Sequence, residues 1–269
     1  MAYAYAAVMT GSPHRALFAL VAPVLAAGLV FAVAPAAHAA VVPVDPGPIA
    51  AGKPIWGTTQ NLPPMQVTGN YFAGPQNAQA IEDYYDSGQA KRDQEAIVKA
   101  ARTWIYSWVD DKCGGKPKSC DATVVFDIDE TLLSNYDYYK STGFTFTQDG
   151  WNAFTESCGT TAIGPTRDLY RKLVRDGFAV VLLTGRSDSE RSATAECLRK
   201  RGINDWHELI LRTQAEATLS ADVYKSQNRA DLQAEGHRIV ASIGDQVSDM
   251  SKGRLKAGFL LPNPMYFIP

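Results

Sequence analysis

From Ala122 onward, short apolar runs alternate with longer stretches in which apolar residues return every three or four positions. ATVVFDI (122–128), FAVVLLT (178–184) and HRIVASIGD (237–245) are runs of strand length, and ELILRT (208–213) is a shorter fourth. Short runs rich in Val, Ile and Leu predict strands buried on both faces. Between them, PTRDLYRKLVRDG (165–177), SDSERSATAECLRKRG (187–202) and YKSQNRADLQAEG (224–236) predict helices, each ending in a Gly that suits a helix stop. Strands alternating with helices imply a parallel sheet, hence an α/β, Rossmann-like fold with helices on both faces.

The same pattern divides the rest of the chain. Asn77 to Lys112 reads as helical, with Ile81, Tyr84 and Tyr85 in one run and Ile97, Ala101, Trp104, Ile105 and Trp108 in another, separated at Gly88. This N-terminal helical extension (76–112) opens the main domain (76–269), with Trp104 and Trp108 expected in the core under the sheet. Residues 40–75, rich in Pro and Gly and without lasting periodicity, read as an extended arm. NYDYYKSTGFTFTQDGWNAFTESCG follows the first strand and is too long for a simple loop, so a small cap is expected over 134–164. Its aromatics, Tyr136, Tyr138, Tyr139, Phe144, Phe146, Trp151 and Phe154, are expected mainly in the cap's own core, with one or two free to stack on an aromatic leaving group.

Composition narrows the classes. With 46% hydrophobic and 20% charged residues the chain can bury a sizeable core, and its net charge of -2 carries no basic bias for a nucleic-acid polymer. His14 and Arg15 precede the apolar run ALFALVAPVLAAGLVFAVAPAA, which ends at the small-x-small site Ala37-His38-Ala39. Residues 1–39 therefore read as a signal peptide, giving a secreted or cell-envelope protein with no stable membrane insertion after cleavage. An uncleaved anchor is the competing reading, since the run nearly spans a bilayer; Pro23, Pro35 and the cleavage site favour export. In an oxidising compartment, Cys113, Cys120, Cys158 and Cys197 predict two disulfides. The turn CGGKPKSC favours Cys113–Cys120, leaving Cys158–Cys197; the spacings fit no common zinc pattern.

The polar residues at the strand ends point to chemistry. In a parallel α/β sheet the ligand crevice lies at the carboxyl ends of the strands. Asp127 and Asp129 end the first strand, Thr184, Gly185 and Arg186 the second, and Asp245 and Asp249 follow the last. Four carboxylates there suit a hard cation such as Mg2+, without which their repulsion is costly in a partly dry cleft. One carboxylate can attack phosphorus and a neighbour can move a proton to the leaving oxygen. Thr184, with backbone N–H groups of its turn, can bond a phosphoryl oxygen, and Lys225 can oppose its charge. Arg186 either reads the phosphate or pairs with a nearby acid. Asp249 is a ligand or a brace, Thr131 caps or braces the turn, and Glu130 is structural.

DIDET, LLTGR, a lone Lys and GDQVSD, in that order, resemble the motifs of the haloacid dehalogenase (HAD) superfamily. FDIDETLLSN, CLRKRGINDWHELILR, VYKSQNRADL and LPNPMYFIP are similar to blocks of its secreted, class B-like acid phosphatases, which include plant acid phosphatases and vegetative storage proteins. That resemblance runs from near Ile81 to the end and leaves out the arm. It implies Asp127 as nucleophile and metal ligand and Asp129 as general acid/base that binds the metal through its carbonyl. Thr184 and Lys225 then hold phosphate, with Gly185 and Arg186 as further candidates beside them, and Asp245 and Asp249 hold Mg2+. The expected enzyme is a phosphatase acting on small phosphomonoesters. A storage or phosphate/metal-binding protein of the same fold is the alternative, and a receiver-like signalling domain is disfavoured by Asp129, the export signal and the cap. Hydrolysis is not separated from phosphotransfer, and no oligomeric state is read.

Overall fold

The computed structural model describes residues 40–43, 53–58 and 70–268; the expected signal peptide lies outside them. β1 (Val41–Pro43), β2 (Ile55–Thr58) and β3 (Tyr71–Phe72) precede the helices α1 (Ala78–Asp86) and α2 (Gln89–Cys113). β4 (Ala122–Phe126) is followed by the cap elements β5 (Leu133–Ser134), α3 (Tyr136–Ser141), α4 (Gln148–Glu156) and β6 (Thr161–Ala162). Then come α5 (Gly164–Arg175), β7 (Ala179–Ser187), α6 (Arg191–Lys200), β8 (Glu208–Arg212) and α7 (Ala221–Ala234). β9 (Arg238–Gly244), β10 (Ala257–Leu260) and β11 (Tyr266–Phe267) complete the chain.

Seven strands form one sheet in the order β1-β2-β10-β9-β4-β7-β8, parallel throughout except for the β1–β2 pair. Every residue of β4 is buried, as its unbroken apolar run requires. Alternate side chains pack to opposite faces. Val124 and Phe126 join α2, α5 and α6 through Ile105, Leu173 and Leu198, whereas Val125 joins α7 through Tyr224 and Leu232. Phe126 stands opposite Leu182 on one side and Ile243 on the other. Asp127, Thr184 and Asp245 therefore leave the sheet at nearly one level, at its carboxyl edge.

Three expectations need revision. Segments of the arm join the fold, since β1 and β2 extend the central sheet and β3 pairs with β11. These strands are two to four residues long, too short for periodicity to show, and their partners β10 and β11 lie near the other end of the chain. Trp104 and Trp108 are half-buried rather than core. Trp104 meets Phe259 edge-on at 6.2 Å and, with Val41 and Trp56, lines an open groove of about 850 Å³. The cap, finally, does not keep its aromatics to itself. Tyr138, Tyr139 and Phe144 are buried in a cluster with Ile81, Met265 and Tyr266, so α1 and the C-terminal segment complete its core. Phe146 stays 37% exposed. Gly88, at φ 74°, separates α1 from α2 as expected.

Both disulfides form in the expected pairing. Cys113–Cys120 closes the turn after α2, and Cys158–Cys197 ties the end of the cap to α6. Among the described residues no helix is long and apolar enough to cross a membrane.

Candidate active site

The loop after β4 is built to display carboxylates. The Asp127 N–H donates to Ile243 O (2.9 Å), and Ile128 O accepts from the N–H groups of Thr131, Leu132 and Leu133. This tight reversal puts Glu130 in the left-handed region at φ 51°. Its buried carboxylate accepts from the Asn135 N–H (2.6 Å), from Asn135 Nδ2 (3.0 Å) and from the Tyr266 hydroxyl (2.5 Å), which pins the loop. The Thr131 hydroxyl points from the turn to Asp245 Oδ1 at 3.4 Å.

β7 loses register at its end. Leu183 pairs with Ile210 but Ser187 pairs with Arg212, so three residues of β7 oppose one of β8. Such a bulge re-aims side chains, and here it frees Thr184, Gly185 and Arg186 from the ladder. Thr184 is fully buried, its Oγ1 accepting from the Arg186 N–H (3.2 Å). Gly185 is exposed with open space around it. Arg186 turns back onto Asp129 as a fork, Nη2 to Oδ1 at 2.6 Å and Nε to Oδ2 at 2.9 Å, while Asn135 Nδ2 donates to Oδ1 at 2.9 Å. The guanidinium lies 5.6 Å from the centroid of Trp151 on the cap.

The third part comes from β9 and α7. Asp245 Oδ2 accepts from Asn263 Nδ2 (2.7 Å) and Gln246 Nε2 (2.5 Å). Asp249 Oδ2 accepts from the Gln246 N–H (2.9 Å). Lys225, in the first turns of α7, bridges Asp127 Oδ1 at 2.7 Å and Asp249 Oδ1. One turn further, the fully buried Arg229 donates to the carbonyl oxygens of Asp249 (2.8 Å), Ser251 and Gly253 (3.2 Å). α7 therefore carries the bridging cation and the clamp on the Asp249 loop on a single rigid element.

Asp127, Asp245 and Asp249 each bring an oxygen within 4.8 Å of the others, and all three are buried. Burial, reinforced by Asp249, Asp245 and Asp129, pushes Asp127 well above the ordinary carboxylate range against the pull of Lys225. Burial followed by Asp249 and Glu130 pushes Asp245 up to about 8, although Asn263 and Gln246 oppose it. Burial also acts to raise Asp129, but the Arg186 charge and the bonds from Arg186 and Asn135 outweigh it and hold this carboxyl below its usual value. For Lys225, the two aspartates overcome the cost of burial and raise its affinity for the proton. Lys225 balances one of the three aspartates, so protons or a further cation must compensate the rest.

The profile of the family described as "HAD superfamily, subfamily IIIB (Acid phosphatase)" matches residues 59–269. The chain belongs to this family. The match starts inside the arm, earlier than the similarity near Ile81 suggests. Among the relatives of this HAD acid phosphatase is "Acid phosphatase 1" of Solanum lycopersicum, 40% identical over 170 residues, covering 60% of this chain and 67% of that protein. "Vegetative storage protein 1" of Arabidopsis thaliana is 31% identical over 207 residues, 74% of each chain. The class C acid phosphatase from Bacillus anthracis shares the fold, with a TM-score of 0.56 at 19% identity over 72% of this chain and 86% of that one. By family the protein is a phosphomonoesterase of the HAD type.

Every predicted site residue of the HAD phosphatase lies at the one sheet edge. The sequence reading missed Asn135, Arg229, Gln246 and Asn263. Arg229 carries a faint signal, falling one helical turn after Lys225 on the same face. The three amides have no local signature.

Proposed function

We propose that the protein is an exported, Mg2+-dependent acid phosphatase that hydrolyses small phosphomonoesters through a covalent phosphoaspartate on Asp127. The observation that carries this reading is the state of Asp127. Lys225 holds Oδ1, no described residue donates to Oδ2, and the residue stands at the open edge of the sheet. One oxygen is thus oriented and charge-balanced while the other remains available to phosphorus.

The donor set suits a hard cation. The candidate ligand atoms are all carboxylate oxygens, with the Lys225 ammonium beside two of them, and burial resists leaving all three aspartates charged without further compensating charge. Asp127, Asp245 and the carbonyl of Asp129 would hold Mg2+, with Asp249 as a ligand or as the brace that its bonds to Lys225 and Gln246 describe. When bound, the ion supplies positive charge that lets a carboxylate approach an anionic phosphoryl group.

The chain's own residues account for the remaining work. Asp127 Oδ2 forms the bond to phosphorus as the bond to the ester oxygen breaks, and Asp129 gives that oxygen its proton so that an alcohol leaves. Asp129 then takes a proton from water, whose oxygen attacks phosphorus and returns Asp127 as a carboxylate with inorganic phosphate. Thr184, the N–H groups of its turn and Lys225 bind the non-reacting oxygens. Paired with Asp129, Arg186 favours the ionised form of that carboxyl, opposite to what an acid needs. A phosphate dianion competes for the same guanidinium fork, so substrate draws Arg186 off Asp129 and frees it to carry a proton. The two disulfides fit an oxidising compartment, in keeping with export to the cell envelope or medium.

The test is hydrolysis of p-nitrophenyl phosphate by wild type and Asp127→Asn, with Mg2+ and with EDTA. The expected outcome is metal-dependent turnover that falls by at least on the order of 10³-fold in the variant. Turnover that persists in Asp127→Asn rules out the phosphoaspartate. A folded wild type that binds Mg2+ but turns over no phosphoester instead supports the storage reading suggested by the vegetative storage relatives.

A further inference from the structure

The C-terminal segment 261–268 reaches the catalytic centre at three points. Asn263 is fully buried, and its Nδ2 donates to Asp245 Oδ2 at 2.7 Å. Its own Oδ1 accepts from the Met265 N–H at 2.9 Å, which fixes the end of the amide that faces the aspartate. Gln246 Nε2 is the second donor to the same oxygen, and Gln246 Oε1 accepts from the Ile268 N–H at 2.9 Å, so the segment orients that amide as well. Tyr266 meets Glu130, which holds Asn135, and Asn135 donates to Asp129.

Resting on the magnesium reading above, we propose that the C-terminal segment is a positioning element of the metal centre, with Asn263 its principal residue. A carboxylate is free to turn about its last bond and to offer either oxygen. Two amide donors on Oδ2 stop that rotation and leave Oδ1, with its single long contact to Thr131 (3.4 Å), as the oxygen available to a cation. The choice of side chain matters chemically. A lysine or arginine here would neutralise Asp245 and compete with the ion, whereas an amide pins the carboxylate and leaves its full charge. Groups of this kind, which hold a ligand rather than the metal, typically govern affinity by about 10–100-fold.

The experiment is calorimetric titration of Mg2+ into the full chain for wild type, Asn263→Ala, Asn263→Leu and Ile97→Ala. Leu keeps the branched shape of Asn and removes both the donor to Asp245 and the acceptor of the Met265 N–H. Ile97 is fully buried in the core cluster below the sheet, so its truncation lowers Tm without touching the centre. The Asn263 variants are expected to fold and to bind Mg2+ about 10–100-fold more weakly, with Ile97→Ala binding as wild type does. Wild-type affinity in either folded Asn263 variant overturns the proposal. So does failure of both to fold at saturating Mg2+, which makes Asn263 a packing residue. A wild type that binds no Mg2+ removes the magnesium reading itself, an outcome distinct from the other two.

Discussion

Gly244 shows how little room the centre has at the scale of one residue. A Cβ built on it would lie 2.1 Å from Asp249 Oδ2 and 2.2 Å from its Cγ, so the absent side chain lets Asp249 fold back against β9. Gly244→Ala must displace that carboxylate or the strand. Overpacking of this kind costs about 1–3 kcal/mol, to be read as a lower urea midpoint with an unchanged slope. Asp249 also shares Lys225 with Asp127, so the same variant should lose phosphatase activity beyond its loss of stability. Wild-type turnover in Gly244→Ala would show that Asp249 need not sit where it does. Asp245 and Asp249 were legible because GDQVSD follows an apolar run that can only be a strand. Asn263 was not, because its partner Asp245 lies 18 residues away and a single amide in LPNPMYFIP marks no position. Asp129 was legible as an acid beside the nucleophile, but its fork with Arg186 spans 57 residues and follows from the bulge of β7.

Among the elements, legibility followed length and burial. β4, β7, β8 and β9 announced themselves as apolar runs, and α5, α6 and α7 by spacing. β10 was missed because AGFL is brief and begins with two small residues, and β1 and β2 because they become strands only by pairing toward it. Covalent links add a constraint that the pattern could suggest but not weigh. Cys158–Cys197 spans 39 positions and fastens the cap to α6, while Cys113–Cys120 spans seven within one turn. Loop entropy scales with the logarithm of the span, which predicts about 4 kcal/mol for the first and about 2.5 kcal/mol for the second. Urea unfolding of Cys158→Ser/Cys197→Ser and Cys113→Ser/Cys120→Ser double variants should show that order. The first pair should also raise KM, since the cap carrying Trp151 loses its tether. Equal losses in the two variants would mean that native contacts, and not chain entropy, set the contribution of each bridge.

Over the whole molecule, the centre is a concentration of buried acid that the fold tolerates only with compensating charge. Asp127, Asp129, Glu130, Asp245 and Asp249 stand against Lys225, Arg186 and Arg229, all but Asp129 buried. Among the described residues no carboxylate hydrogen-bonds Arg229; three loop carbonyls surround it, and burial lowers its proton affinity to about 10. This imbalance has a thermodynamic signature. Asp245 rises from 3.8 to about 8 and Glu130 from 4.5 to about 7, both chiefly through burial. Between those values the folded protein keeps protons that the unfolded chain has released, so stability must fall as pH rises. The contribution is complete below about pH 4 and is lost through about pH 7 to 8. Carboxyls held low in the fold, such as Asp176 and Asp222, act with the opposite sign. They are already ionised in both states above about pH 5, which leaves the interval from about pH 5 to about pH 8 to the buried acids. In EDTA, Tm should therefore drop across that interval by on the order of 10 °C, each pK unit being worth about 1.4 kcal/mol and each kcal/mol about 2–4 °C at this chain length. Saturating Mg2+ replaces the protons as the compensating charge, so it should raise Tm most at the alkaline end and flatten the slope. Asp245→Asn carries no charge to compensate, so it should flatten the slope in EDTA and lose most of the response to Mg2+. A metal-free wild type whose Tm holds level or climbs from about pH 5 to about pH 8 would mean that the buried acids stay ionised without a cation, and the case for a metal built into this sheet edge would fail with it.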